Sequence, residues 1–238
     1  MVTSRIEDVR ELIARTRYVV FGFDGPLCQL FSGPSATAVA RAQLDWLTER
    51  GLGAVLTEEE RGRADPYRAL TALAGRHPGS DVATRLEAWL SRTELDAVRT
   101  AMPTAYADPL VHTWAAVGAR LAVATDTSAR TVTSYLDARG LTPCFAPHIY
   151  GRTPDLGTLT PRPGVLETAL NTMAAEPEAS LVIGGTPADH AAAHRAGVPF
   201  LGYARHPARA RALHEAGVPP HGVTASLEPL LRALRRRS

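Results

Sequence analysis

The chain has 238 residues, 45% of them hydrophobic and 21% charged, which suits one α/β domain or a core with an insertion and leaves ample apolar material to bury. A formal net charge of +2 gives no bulk electrostatic reason to bind nucleic acid or a membrane surface. No lysine occurs, so all 26 basic residues are arginine and any reaction that needs a lysine amine is excluded. Cys28 and Cys144 form neither a metal-binding spacing nor a disulfide framework, and no signal-like or membrane-length apolar run is present, so a cytoplasmic protein is expected.

In chain order, Ile6, Val9, Leu12 and Ile13 have helical spacing and lead into an apolar run, Tyr18–Phe21, that reads as a buried strand. The run is cut off by Gly22-Phe23-Asp24-Gly25-Pro26, a tight turn that places a carboxylate at the strand's carboxyl end. From Ser35 to about Ala105 the pattern is helical, with segments near Thr37–Arg50, Glu58–Leu73 and Asp81–Thr100, and Ser80 or Asp81 is expected to cap the last. This block predicts a helical subdomain inserted after the first strand, placed to act as a lid over the crevice. The expected boundaries are 1–30 with 106–238 for the core and 31–105 for the cap.

Beyond the block, Asp108–Val117 reads as helix and Arg120–Ala124 as a second strand ending at Thr125-Asp126-Thr127-Ser128. A helix to Leu136, a short run at His148–Tyr150 and a Gly/Pro/Thr-rich loop from Gly151 to Pro163 come next. Val165–Met173 is helical, and Ser180–Ile183 is a strand ending in Gly184-Gly185-Thr186-Pro187-Ala188-Asp189. A helix over His190–Ala196, a strand over Val198–Leu201 and helices over Pro207–Ala216 and Ser226–Leu234 complete the chain. This alternation predicts a doubly wound parallel sheet with its ligand crevice at the carboxyl ends of the strands.

The turn at Gly22–Pro26, the stretches LAVATDTSARTVTSYL and AGVPFLGYA, and the order of the polar strand ends together resemble the haloacid dehalogenase superfamily, in particular its phosphoglycolate-phosphatase-like branch with a helical cap. The resemblance implies an Asp-x-Asp-Gly motif whose first Asp attacks phosphorus and whose second acts as acid and base. Gly22 stands at the first position and Asp24 at the second, so no aspartyl-phosphate can form at residue 22. The phosphate-binding hydroxyl maps to Thr125, followed by Asp126 where the family often has an amide. The family's lysine maps to Thr160 in Thr160-Pro161-Arg162-Pro163, with Arg162 as a nearby but non-equivalent cation. Of the carboxylates that hold Mg²⁺, one maps to Gly22 and one to Gly185, while Asp189 survives beside Thr186.

Three altered positions, which in the family carry four roles (nucleophile, two Mg²⁺ carboxylates and the lysine), lead to the expectation that the Mg²⁺-dependent phosphatase reaction is absent and that Mg²⁺ binding is weak or lost. Asp24, Asp126 and Asp189 are the candidate catalytic residues. Gly22, Thr125, Thr160, Arg162, Gly185 and Thr186 are candidates for contact with an anionic or small-metabolite ligand, with a protein partner also compatible. Three readings of function follow: a non-hydrolytic binding, regulatory or scaffold protein; a metal-independent acid–base enzyme using Asp24; or a residual phosphomonoester hydrolase.

Each candidate also has a plain structural reading. Asp24 is either a repurposed acid–base group or a turn residue accepting backbone N–H bonds. The three aspartates either raise one another's pKa by repulsion or cap the helices that follow, and for Asp189 the cap is the better reading. Gly184-Gly185 offers backbone N–H groups to an anion. His190 and His194 lack a third ligand, Cys28 and the tryptophans Trp46, Trp89 and Trp114 suit packing, and Arg232, Arg235, Arg236 and Arg237 suit a helix C-terminus.

Overall fold

A computed structural model describes residues 10–31, 34–62, 65–153 and 164–236. Residues 10–15 are helical (α1) and feed β1, Tyr18–Phe21. β1 pairs in parallel with β4, Arg120–Ser128, on one side and with β6, Ser180–Gly184, on the other. With β5 (Ile149–Arg152), β7 (Phe200–Tyr203) and β8 (Val223–Thr224) this gives a six-stranded parallel sheet in the order β5-β4-β1-β6-β7-β8. The chain leaves β1 toward β4 and β5, then returns past it to β6, β7 and β8. The switch point therefore lies at the carboxyl end of β1, where open α/β sheets bind ligands.

Alternation along the strands sorts the core onto two faces. Val19 and Phe21, Leu121 and Val123, and Leu181 and Ile183 pack on one side with Leu110, Val111 and Trp114 of α6 (Ala107–Ala116), Val132 and Leu136 of α7 (Ala129–Ala138), and Leu230, Leu231 and Leu234 of α12 (Glu228–Arg235). Val20, Ala122 and Val182 pack on the other with Leu166, Ala169 and Leu170 of α9 (Gly164–Thr172) and Ala192 and Ala193 of α10 (Pro187–Arg195). Helices thus cover both faces, as a parallel sheet requires.

Four α-helices of the described residues lie between β1 and α6: α2 (Pro34–Thr48), α3 (Glu58–Arg61), α4 (Arg68–Arg76) and α5 (Asp81–Val98). They enclose a cluster of their own that includes Leu47, Leu70, Leu73, Leu86 and Leu90. Ser80 caps α5, its hydroxyl accepting the Ala83 N–H at 3.2 Å.

The structure departs from the sequence reading in several places. The continuous helix expected over Glu58–Leu73 is two helices, with Pro66 between them, where its missing N–H and fixed φ interrupt a ladder. The strand expected to stop at Ala124 continues to Ser128, its far end paired with Arg152 across a register shift. Val223–Thr224 is an edge strand. Finally, β2 (Cys28–Gln29) and β3 (Met102–Pro103) pair antiparallel, zipping together the two chain segments that enter and leave the helical block.

Candidate active site

At the end of β1 the Gly22 N–H donates to the Ile183 carbonyl at 2.9 Å, continuing the ladder toward β6. Gly25, at φ 111°, turns the chain sharply, and its N–H donates to the Cys28 carbonyl at 2.7 Å. A positive φ of this size is costly for any side chain, which is why glycine follows the aspartate. The turn brings the Asp24 carboxylate back onto the chain that follows: Oδ1 accepts the Leu30 N–H at 2.9 Å and the Phe31 N–H at 3.4 Å. Oδ2 lies 3.6 Å from Nη2 of Arg209, on the helix after β7 (α11, Pro207–Glu215). Burial raises the Asp24 pKa, and the Arg209 charge and the two backbone N–H groups offset that only in part.

The third strand end makes a helix cap. Thr186 Oγ1 accepts the Asp189 N–H at 3.1 Å, while Asp189 Oδ2 accepts from Gly185 N at 2.9 Å and Thr186 N at 3.0 Å. This reciprocal pair is a capping box with Asp in the role usually held by Glu, and it opens α10. Gly184 allows the helix to approach so closely, since a β-carbon there would lie 2.5 Å from Asp189 Cβ. Burial raises the Asp189 pKa, as it does for Asp24. In both, desolvation and not a neighbouring carboxylate is the leading cause of the rise.

The second strand end is held by a turn bond and by contacts to the helical block. Thr125 Oγ1 accepts the Thr127 N–H at 3.2 Å, and Thr127 Oγ1 meets the phenolic OH of Tyr67, from the helical block, at 2.8 Å. Asp126 offers its backbone carbonyl to Arg152 Nη1 at 2.6 Å. Arg152 is fully buried and holds Glu94 of α5 through two bonds, Nη1 to Oε1 at 2.8 Å and Nη2 to Oε2 at 3.0 Å. It also reaches Glu87 Oε1 at 3.2 Å and Ser91 Oγ at 2.9 Å, and Glu94 accepts the Ser128 N–H at 2.9 Å. Burial works against the guanidinium's charge, and the Glu94 carboxylate outweighs it, so Arg152 stays protonated. A bidentate buried pair therefore fastens the helical block to the sheet beside the crevice.

Thr160 and Arg162 lie outside the described residues. Cys28 is a free, buried thiol, and Trp114 is fully enclosed in the core. His190 and His194 stand with ring centroids 6.2 Å apart, His190 also packing on Phe200. Trp46 carries the Arg50 guanidinium 4.0 Å over its ring, and Trp89 packs in the helical cluster.

Residues 80–203 match the sequence model of the haloacid dehalogenase-like hydrolases, just over half of the chain, running from α5 to the end of β7. The chain belongs to the haloacid dehalogenase-like hydrolase family. No curated protein matches it. Among solved structures, a predicted phosphatase from Clostridium acetobutylicum is similar at 17% identity and TM-score 0.68, over 93% of this chain and 99% of that one. A haloacid dehalogenase-like family hydrolase from Streptococcus pneumoniae aligns at 16% identity and TM-score 0.60, over 94% and 100%. A predicted phosphoglycolate phosphatase from Haemophilus somnus aligns at 18% identity and TM-score 0.53, over 79% and 85%. At these identities the likeness establishes the haloacid dehalogenase fold.

Family resemblance implies Mg²⁺ at this end of the sheet, and the donors do not fit it. A hard cation of this size wants near-octahedral oxygen ligands. Gly22 and Gly185 present no carboxylate, and both oxygens of Asp24 face donors, the Leu30 and Phe31 N–H groups and Arg209. Among the described residues no group of three or more His, Cys, Asp or Glu could hold a metal. The space beside Asp24 holds the Arg209 guanidinium, whose Nη1 is 3.1 Å and 3.7 Å from where β-carbons on Gly25 and Gly185 would lie. The cavity that remains, lined by Asp24, Gly25, Gln29, Phe31, Tyr203 and Arg209 among others, measures about 40 Å³. Neither glycine is forced by packing: a β-carbon at 22 would make contacts of 3.6–3.7 Å, and one at 185 contacts of 3.4–3.7 Å.

Arg209 was not legible in the sequence, because the apolar run Val198–Leu201 reads as the strand, whereas the structure carries it over Phe200–Tyr203 and sets its polar end two residues later. One signal was present. A cation in the first turn of a helix opposes the macrodipole and so calls for an anionic partner.

Proposed function

We propose that this family member performs no metal-dependent phosphoryl transfer and works as a non-hydrolytic binding or regulatory protein. The observation that carries the reading is the state of Asp24: its carboxylate is spent on two backbone N–H groups and Arg209, with glycine at 22 and 185, where the reaction needs carboxylates. Phosphoryl transfer is largely positioning and charge neutralisation, and a guanidinium paired to the candidate acid supplies neither a nucleophile nor a metal seat. A small-metabolite site for acid–base chemistry in the same place would need several hundred cubic ångströms. The 40 Å³ beside Asp24 speaks against that alternative too.

The test is release of phosphate from a generic aryl phosphate with and without Mg²⁺. A flat response is expected in both conditions, and magnesium-dependent turnover by the natural chain would overturn the reading. The informative companion is the triple change Gly22→Asp, Thr160→Lys and Gly185→Asp, made with Arg209→Ala to clear the crevice. Turnover gained by this variant would show that the scaffold is competent and that only the reacting groups are missing.

A further inference from the structure

A larger cavity of the described structure lies away from Asp24. A groove of about 680 Å³ runs along the sheet edge between β8, α11 and α12. That is the size of a small-molecule site, and seventeen times the space at the crevice. Its apolar lining comes from Leu201, Ala204, Val223 and Leu230, which belong to the strand ends and the inner face of α12. Its charged lining is lopsided. Arg10, Arg232 and Arg236 border it, against the single acid Glu228. Glu228 is taken by its helix neighbour, Oε1 accepting from Arg232 Nη2 at 2.7 Å. The positive charges of Arg10 and Arg236, both exposed, are left without a lining carboxylate to offset them. Apolar walls beside an uncompensated pair of guanidinium groups are complementary to a molecule with a hydrocarbon body and one anionic head.

We propose that this groove binds a small amphipathic carboxylate, its apolar chain along Leu201, Val223 and Leu230 and its head group between Arg10 and Arg236. Guanidinium geometry suits a carboxylate, which it can bind through two parallel hydrogen bonds. The site is separate from the Asp24 crevice, so the outcome of the phosphatase assay does not bear on it.

Isothermal titration of the full chain with decanoate, decanol and decyltrimethylammonium tests the proposal. Decanoate is expected to bind at least about tenfold more tightly than the other two, with affinity rising up to about fourfold per methylene from octanoate to decanoate. The double variant Arg10→Glu, Arg236→Glu changes only exposed side chains; it should weaken decanoate by about tenfold or more and leave decanol where it was. Ala225→Trp, at an exposed position on the lining, should obstruct the groove and weaken all chain-bearing ligands while far-ultraviolet circular dichroism stays unchanged. Absence of decanoate binding, equal binding of decanoate and decanol, or indifference to the charge reversal or to the tryptophan would each overturn the proposal.

Discussion

At Asp24 the competition between burial and partners decides the charge, and burial has the larger effect on the pKa. A carboxyl whose folded pKa is raised binds its proton more tightly in the folded chain than in the unfolded one. Its contribution to stability is complete below the ordinary value of 3.8 and is lost as pH rises through the folded pKa. Asn at this position removes the ionisation and keeps an oxygen for the Leu30 and Phe31 N–H groups. The urea midpoint of the natural chain should therefore fall, relative to Asp24→Asn, as pH is raised from about 4 to about 7. A pH-independent difference between the two would show that the carboxyl does not feel the burial described. The turn bonds of Asp24 and the cap made by Asp189 were legible because short-range turn and cap chemistry is written in neighbouring letters. Arg209 was not, since it meets Asp24 only after the sheet has brought the ends of β1 and β7 together.

Among the elements, α5 and β5 are joined by the one fully buried bidentate ion pair of the described residues, Glu94 with Arg152. Removing one partner strands the other charge away from water. Glu94→Ala should cost about 3–5 kcal/mol, whereas Glu94→Leu combined with Arg152→Met should recover only part of that loss, because the Ser128 N–H and the Asp126 carbonyl lose their partners, both read from urea unfolding. A small loss in the single variant would mean that water or Glu87 takes over. The helical block is fastened to the sheet by this pair and by the Tyr67–Thr127 contact. The helices of the block were legible from apolar spacing and the Ser80 cap. The pair was not, because Arg152 and Glu94 are 58 positions apart and each alone reads as a surface charge. The extension of β4 was hidden for a related reason: Thr125-Asp126-Thr127-Ser128 has the letters of a turn, and pairing with Arg152 and the Ser128 N–H bond to Glu94 hold it extended.

For the whole molecule, the alternation of buried strands and helices made the doubly wound sheet readable, and the order of polar strand ends made its family readable. The two-residue strands β2, β3 and β8 lie below the length at which periodicity carries information. Ligand linkage offers a test at this scale. An ion bound only by the folded chain would add about 2.7 kcal/mol of stability at a hundredfold excess over its Kd. Excess Mg²⁺ is expected to leave the thermal midpoint of the natural chain in place, and a concentration-dependent rise would show that donors other than residues 22 and 185 hold the ion. The antiparallel pairing of Cys28–Gln29 with Met102–Pro103 also has a bearing on chain statistics. It closes the helical block at its base, with Thr104 Oγ1 bonded to the Gly25 carbonyl at 2.5 Å beside it. The conformational entropy of joining the block's two ends is spent at that pair, and doubling the length of chain between them would add only about 0.6 kcal/mol to it. Insertions and deletions that keep Tyr67 on Thr127 and Glu94 on Arg152 are thus insulated from the sheet at this knot of backbone bonds.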